Sequence, residues 1–280
     1  MEIIENFIIK SKDNQPILAD LYLCKKKNNP IIIYCHGYKG FKDWGHLHLL
    51  PKIFTDSGFH FLKFNFSHNG GTMDNPIDFP DLEMFAENNY SQELQDLQNV
   101  INWITSDKNG FSKEINSSPI YLMGHSRGGG ITILTTAKDA RIKKLVTWST
   151  VADFARRFPS GKSLKKWQED GVMHVKNSRT KQNMPHYFQF YEDFIANRRN
   201  LDIGEAEKKI EVPHLLIHGT QDDVVYLGES LHLMSINEKA SLIKLQGASH
   251  TFGSHHPYEK KQLSHHIEMA LNYTITFFSE

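Results

Sequence analysis

The 280-residue sequence is short of cysteine, with only Cys24 and Cys35, and neither belongs to a CxxC pair. Two cysteines are too few for a disulfide framework, and Cys35 ends an apolar run typical of a buried strand. Net charge is also lacking, because 32 lysines and arginines balance 32 aspartates and glutamates. A neutral chain offers no broad basic face, so we expect no nucleic-acid partner.

Long hydrophobic runs are missing as well. No stretch approaches the roughly 20 apolar residues of a membrane-spanning helix. The N-terminal MEIIENFIIK carries acids early and lacks the apolar centre of a signal peptide. We therefore expect no membrane span and a reducing, cytoplasmic location.

Metal-binding motifs are scarce despite sixteen histidines. The HExxH pattern does not occur, and the histidine pairs at 255–256 and 265–266 are adjacent, so they are not spaced to share one helix face. We expect solvent-facing histidines there and no metal site.

What the sequence does contain is an alternation of β-prone runs and helical stripes. Residues 31–35 and 119–123 are continuous apolar runs, which are typical of strands buried on both faces. The alternation predicts βαβ units and a mostly parallel sheet. Near the N-terminus, an antiparallel edge pair is predicted over 2–10 and 16–24, joined by the polar turn 11–15. Further strands are predicted at 59–66, 144–148, 212–217 and 241–245, and helices at 45–57, 91–107, 129–137 and 258–278.

The stretch from 151 to 202 breaks this alternation, because it has no clear strand and is too long for an ordinary connection. We predict a helical cap insertion over 151–202 and a core domain formed by 1–150 and 203–280. Trp167, Tyr187 and Tyr191 of the insertion either line an aromatic substrate pocket or form the insertion's own core.

The insertion is also basic, with eight lysines and arginines against three acids between 151 and 181. Such an excess of positive charge either attracts a substrate carboxylate or phosphate, or belongs to a helix face that is exposed to solvent.

The strongest chemical motif is GHSRG at 124–128, directly after the strand-like run PIYLM. A serine hydroxyl is a weak nucleophile that needs exposure, an adjacent base and donors for the oxyanion. A sharp turn from strand to helix exposes the hydroxyl, and flanking glycines permit close passage of the chain. The motif therefore predicts Ser126 as a nucleophile. A phosphate-cradling loop is the alternative, but neither GxGxxG nor GxxxxGK[ST] occurs.

Donors for the oxyanion are predicted from HGYKG at 36–40, which follows the Ile-rich strand. A loop that begins at a strand end can aim backbone amides at an oxyanion. We predict the amides of Tyr38 and Arg127 as the oxyanion hole, while His36 shapes the loop.

The acid and the base are predicted from two later strand ends. In HGTQDD, the acid of such a turn usually comes two residues after the threonine, which favours Asp222 over Asp223. In GASHTF, His250 follows the last strand and can reach both the serine and the acid. His218, which precedes the turn, is predicted to be structural.

Together these segments resemble the α/β-hydrolase superfamily, and they occur in the order expected for it: HGYKG (36–40), FNFSHNGGT (64–72), GHSRGG (124–129), HGTQDD (218–223) and GASHTF (247–252). The chain is most similar to cinnamoyl-esterase-like and dienelactone-hydrolase-like members. A dienelactone hydrolase proper has a cysteine at the position of Ser126, so that activity is not expected. The resemblance implies an α/β fold of about eight mostly parallel strands with helices on both faces, a helical cap and no cofactor.

The resemblance also implies hydrolysis of carboxylic esters or related acyl bonds. We predict a carboxylesterase-like serine hydrolase that acts on a small acyl substrate through an acyl-enzyme. Acyl-peptide or peptidase activity and thioesterase activity are alternatives on the same residues. A non-catalytic binding protein is a third alternative, against which the complete Ser–Asp–His set argues. The sequence fits a monomer or a homodimer.

Overall fold

The computed structural model describes residues 2–10 and 15–280, which form ten strands and ten α-helices. The predicted turn therefore lies, apart from its last residue, outside the described residues. The strands are β1 (Glu2–Lys10), β2 (Pro16–Leu23), β3 (Ile31–Cys35), β4 (His60–Phe64), β5 (Ile120–His125), β6 (Ile142–Trp148), β7 (Val172–Lys176), β8 (Asn183–Tyr187), β9 (His214–Gly219) and β10 (Ala240–Leu245). The helices are α1 (Leu50–Asp56), α2 (Leu82–Ala86), α3 (Tyr90–Ile104), α4 (Ser112–Ile115), α5 (Arg127–Thr136), α6 (Gly161–Asp170), α7 (Gln189–Ala196), α8 (Ile203–Glu207), α9 (Leu227–Ile236) and α10 (His265–Ser279). In this part of the chain no helix combines the length and the apolar character needed to cross a membrane.

Eight strands form one sheet in the order β1-β2-β4-β3-β5-β6-β9-β10. Strand β2 pairs antiparallel with both β1 and β4, and the strands from β4 to β10 along this order run parallel. The predicted antiparallel edge pair and mostly parallel sheet are therefore confirmed. Parallel strands need crossover connections, and the helices supply these on both faces.

The continuous apolar run of β3 reflects burial on both of its faces. Ile31, Ile33 and Cys35 pack into one core, to which α3 and α5 contribute. Ile32 and Tyr34 point the other way, into a second core that includes side chains of α1 and α10. Because successive side chains of a strand alternate between faces, a strand between two helical layers has no polar face to show.

The segment between β6 and β9 contains α6, α7 and α8 and also the antiparallel hairpin β7–β8. The sequence predicted an insertion without strands, so the hairpin is a correction. Its strands are only five residues long, and Pro185 lies within β8. Proline argues against a strand except at a sheet edge, and both strands of a two-stranded sheet are edges. The division of the chain at 151 and 202 stays a prediction.

Four charged side chains connect the loop after β3 to the sheet. Lys42 Nζ lies 2.7 Å from Asp20 Oδ2 and 2.6 Å from Asp43 Oδ2. Lys63 of β4 pairs with the same two carboxylates. The side chains of Asp20, Lys42 and Lys63 are each only 2% exposed. The two positive and two negative charges therefore balance each other in the protein interior.

Replacing Asp20 by asparagine is expected to lower the free energy of unfolding by about 3–5 kcal/mol, because two buried lysines lose a counter-charge. Asp56→Asn is the matched control, since Asp56 pairs with Lys52 at the surface with both side chains more than half exposed. That change should alter the free energy of unfolding by less than about 1 kcal/mol. Urea denaturation at pH 7 measures both, and equal effects would contradict the buried network.

Candidate active site

The four predicted site segments meet at one edge of the sheet. The loop 36–40 follows β3, Ser126 follows β5, Asp222 follows β9 and His250 follows β10. These strands are parallel and lie side by side or one strand apart. Because the carboxyl ends of parallel strands lie at the same edge, segments distant in sequence converge there.

Ser126 occupies a strained turn between β5 and α5. Its φ of 55° and ψ of −119° place a non-glycine residue at positive φ, a conformation that costs energy and persists where the surroundings enforce it. A Cβ at Gly37 would lie 3.0 Å from the Ser126 Cβ and 3.1 Å from the His125 carbonyl oxygen. A side chain at position 37 would therefore crowd the serine turn, and glycine lets the loop after β3 pass this close without a shift.

Asp222 and His250 form a hydrogen-bonded pair, with 2.8 Å between Asp222 Oδ2 and His250 Nδ1. The other carboxylate oxygen, Oδ1, accepts hydrogen bonds from the amides of Val224 and Val225, each at 2.9 Å. The side chain of Asp222 is buried, whereas Asp223 is exposed. The pair fixes which nitrogen of His250 carries hydrogen: Nδ1 donates to the carboxylate, which leaves Nε2 free to accept a proton.

His218 is a second imidazole on the same carboxylate. Its Nε2 lies 2.8 Å from the Val225 carbonyl oxygen and 3.2 Å from Asp222 Oδ2, so Nε2 carries hydrogen and donates to acceptors. Its Nδ1 lies 2.7 Å from Ser230 Oγ. Burial by itself would raise the pKa of Asp222, but hydrogen bonds from His218 and His250 hold that pKa well below its ordinary value. Asp222 is therefore ionised. His218 helps to keep it ionised, and it also joins the end of β9 to Val225 and Ser230.

His125 contacts the backbone of the His250 loop, and the sequence did not predict this contact. Its Nε2 lies 3.0 Å from the His250 carbonyl oxygen, and the two rings are 4.8 Å apart. Burial, with the nearby His250, lowers the pKa of His125 to about 3. His125 is therefore neutral and donates a hydrogen bond to this carbonyl, which positions the loop.

The residues predicted to form the oxyanion hole flank Ser126. Arg127 is the first residue of α5, so its amide has no acceptor within the helix. Tyr38 belongs to the loop held by His36, whose Nδ1 donates to the Gly37 carbonyl at 2.9 Å and whose Nε2 accepts from the Phe66 amide at 3.2 Å. Burial lowers the pKa of His36 to about 4, so this ring remains a neutral tether. The use of the Tyr38 and Arg127 amides stays a prediction.

Two cavities open at Ser126, and Tyr38, Ser126 and Val224 line both. The first, which we call the loop cavity, has a volume of about 340 Å³, and the second, the cap cavity, about 290 Å³. Polar side chains line much of the loop cavity: His36, Lys39, His125, Asn177, Arg179 and His250. Aromatic side chains line much of the cap cavity: Tyr90, Phe154, Phe158 and Phe190.

None of the three aromatic residues predicted to bind substrate lies on the wall of either cavity. Trp167 is buried in the insertion, and its Nε1 donates to the His186 carbonyl at 2.8 Å. The Tyr187 hydroxyl donates to Glu83 near the surface. Tyr191 packs against Phe158, with ring centroids 5.3 Å apart. The pattern of apolar residues does not reveal which aromatic side chains turn inward. Here Trp167 belongs to the hydrophobic core on one face of the main sheet, and Tyr191 packs against that core.

Two of the clustered histidines contact backbone groups. His256 Nδ1 accepts a hydrogen bond from the Gly45 amide at 3.0 Å, and His266 Nε2 lies 3.1 Å from the Gln246 carbonyl oxygen. Among residues 2–10 and 15–280, no three His, Cys, Asp or Glu side chains are gathered closely enough to hold a metal ion.

Known proteins share this architecture. A family model described as alpha/beta hydrolase fold matches residues 79–254. An Escherichia coli protein of 31.7 kDa from the traX-finO intergenic region is 28% identical over 131 residues, which are 45% of this chain but only 38% of that protein. Est1E from Butyrivibrio proteoclasticus is 18% identical, covers 99% of this chain and 98% of its own, and superposes with a TM-score of 0.73. A dienelactone hydrolase from Anabaena variabilis is 13% identical, with coverage of 99% and 95% and a TM-score of 0.62.

The predicted fold class is confirmed by the eight-stranded sheet and by these similarities. The family model alone spans more than half of the chain, including Ser126, Asp222 and His250. The chain therefore belongs to the family of proteins with the alpha/beta hydrolase fold.

Proposed function

We propose that this protein is a serine hydrolase that cleaves carboxylic esters through an acyl-enzyme intermediate. The observation that carries the proposal is the Asp222–His250 hydrogen bond of 2.8 Å at the wall of a cavity that Ser126 also lines. An imidazole oriented by an ionised carboxylate is the base that a serine nucleophile needs. The similarity to Est1E, whose structure has also been determined with ferulic acid bound, agrees with an acyl substrate.

The reaction has two halves that use the same groups. His250 Nε2 takes the proton of the Ser126 hydroxyl as the oxygen attacks the acyl carbon, and the imidazolium is stabilised by Asp222. The amides of Tyr38 and Arg127 stabilise the tetrahedral oxyanion. His250 then returns the proton to the leaving alcohol. Water, activated in the same way, attacks the acyl-enzyme and releases the acid and the free serine.

The position of His250 supports a placement of the two halves of the substrate in the two cavities. The general acid must reach the oxygen of the leaving alcohol, and His250 lines the loop cavity but not the cap cavity. The alcohol therefore lies in the loop cavity and the acyl group in the cap cavity, beneath the proposed cap of residues 151–202.

A set of butyryl substrates with different leaving groups tests the reaction class. We expect kcat/KM for the p-nitrophenyl ester to exceed that for the p-nitroanilide by at least about a hundredfold, or ~2.7 kcal/mol of barrier. The matching thioester should be intermediate, and the Ser126→Ala variant should hydrolyse none of the three measurably. A faster anilide would instead indicate a peptidase, a faster thioester would indicate a thioesterase, and no turnover of any substrate would indicate a binding protein.

A further inference from the structure

The guanidinium of Arg127 is packed among the aromatic side chains of the cap cavity. Its central carbon lies 4.4 Å from the ring centre of Tyr38, 5.2 Å from that of Tyr90 and 5.4 Å from that of Phe190, and all three rings line the cavity. The side chain is only 13% exposed. A charged group therefore lies among the aromatic side chains of the cavity wall, one residue from the proposed nucleophile.

The charge of this arginine is already neutralised. Arg127 pairs with the buried Glu93 at 3.2 Å, and Glu93 also accepts a hydrogen bond from Asn88. The second arginine of the cavity, Arg157, pairs with the buried Glu229. The two guanidinium groups at the cavity wall thus each have a carboxylate partner, so the cavity offers donors without offering a net positive charge.

Two further polar groups of the cavity, on Tyr38 and His186, contact each other. The Tyr38 hydroxyl lies 2.7 Å from His186 Nε2. Burial, with the nearby Arg127 and Lys39, lowers the pKa of His186 to about 3, so this imidazole is neutral. Arg127 keeps donor capacity for an acyl chain. Among the described residues its guanidinium makes a single hydrogen bond, that to Glu93, although it has several N–H groups.

These contacts restrict which acyl groups fit well. The guanidinium lies over the rings of Tyr38, Tyr90 and Phe190, which can contact it but cannot accept conventional hydrogen bonds from its remaining N–H groups. A pure hydrocarbon chain would seal these donors from water without replacing their hydrogen bonds, which is unfavourable. An anionic chain would lose its hydration in a cavity with no net charge to compensate it. An uncharged oxygen in the chain avoids both losses.

From this we infer that Arg127 is a specificity-determining residue that selects acyl groups carrying an uncharged oxygen acceptor, such as an ether or a ketone. The inference rests on the proposed ester hydrolysis at Ser126 and names the acyl class for that site. It uses the side chain of Arg127, whereas the proposed oxyanion hole uses only its backbone amide.

The test compares p-nitrophenyl esters that differ by one atom. Pentanoate and 3-methoxypropanoate have the same chain length, as do hexanoate and 4-methoxybutanoate, and an ether oxygen replaces one methylene in each pair. The readout is the ratio of kcat/KM, ether over alkyl. Because both esters of a pair meet the same nucleophile, the ratio is insensitive to a general loss of activity.

The double variant is chosen so that neither buried charge of the pair is left without a partner. Arg127→Met/Glu93→Gln removes the ion pair as a unit, and Glu93→Gln alone is the matched control that keeps the guanidinium. In at least one ester pair, we expect the double variant to lower the ratio by about tenfold relative to wild type, the size of one hydrogen bond, and the control to retain it. Should the double variant fail to fold, Arg127→Lys serves instead. It keeps the charge but loses the planar fork, so the ratio should fall severalfold.

The effect of a negative charge on the acyl group is tested with the mono-p-nitrophenyl ester of adipic acid, whose acyl chain ends in a carboxylate. Wild type should hydrolyse it at least about tenfold less efficiently than hexanoate, and Glu93→Gln should narrow that gap because the guanidinium loses its counter-charge. A wild-type preference for the anionic ester would overturn the inference. Equal ether-to-alkyl ratios in wild type and the double variant, with hydrolysis still dependent on Ser126, would overturn the inference and leave ester hydrolysis standing. Hydrolysis that Ser126→Ala does not reduce would overturn the proposed function, and the inference with it.

Discussion

Replacing Ser126 by alanine is expected to lower kcat for a p-nitrophenyl ester by about four to six powers of ten. The hydroxyl oxygen is the only heavy atom removed. Without it the acyl-enzyme cannot form, so there is no intermediate for water to hydrolyse. The remaining groups can stabilise an oxyanion and activate water, but they supply only the small residual rate that persists without the nucleophile. Steady-state kinetics with purified protein, at enzyme concentrations high enough to detect residual turnover, measure the loss.

Ser149→Ala is the matched control for this experiment. Ser149 is a buried serine that follows the neighbouring strand β6, and like Ser126 it has a positive φ. It lines neither of the cavities that contain Ser126. Its replacement should change kcat by less than about tenfold. Circular dichroism should show the same fold for both variants. Similar losses of kcat in the two variants would show that serine removal acts through the fold and not through the reaction.

Replacing Asp222 by asparagine is expected to lower kcat by about four powers of ten. The ionised carboxylate accepts from His250 Nδ1 and so keeps Nε2 available as the base. An amide can donate to Nδ1, which would favour the wrong tautomer, and it cannot stabilise the imidazolium. The contact between His218 and the same oxygen strengthens this expectation, since it helps to keep Asp222 ionised.

Asp223→Asn separates the two adjacent carboxylates. Asp223 carries the same charge one residue later, but its side chain is exposed. The amides of Val224 and Val225 donate to Asp222 and not to Asp223. We expect it to change kcat by less than about threefold. A larger loss in Asp223→Asn than in Asp222→Asn would contradict the assignment of the acid. We would measure kcat across pH 5–9 for both variants, so that a change in pH optimum is not mistaken for a loss of kcat.

Structural features that depend on residues close together in the sequence could be predicted from it. A strand buried on both faces is a run of apolar residues, so β3 and β5 were recognisable. The turn at Ser126 is encoded within GHSRG itself, and the acid and base each follow a strand. The topology then brings these segments to one edge, because parallel strands share the direction of their carboxyl ends.

Features that depend on long-range packing could not be predicted in this way. The pairing of Arg127 with Glu93 joins two helices, and the contact of His125 with His250 joins residues more than a hundred positions apart. The hairpin β7–β8 was missed because its strands are short and one contains Pro185. For Trp167 the sequence showed an aromatic residue in the insertion, but only packing decides between the cavity and the core.

The central claim is that the Ser126 oxygen is the nucleophile activated by His250. It is tested most directly by reaction with a fluorophosphonate followed by mass spectrometry of the digested protein. We predict one phosphonyl adduct, located at Ser126, that forms orders of magnitude more slowly in His250→Ala and does not form in Ser126→Ala. An adduct at another residue, or labelling of Ser126→Ala at the wild-type rate, would contradict it.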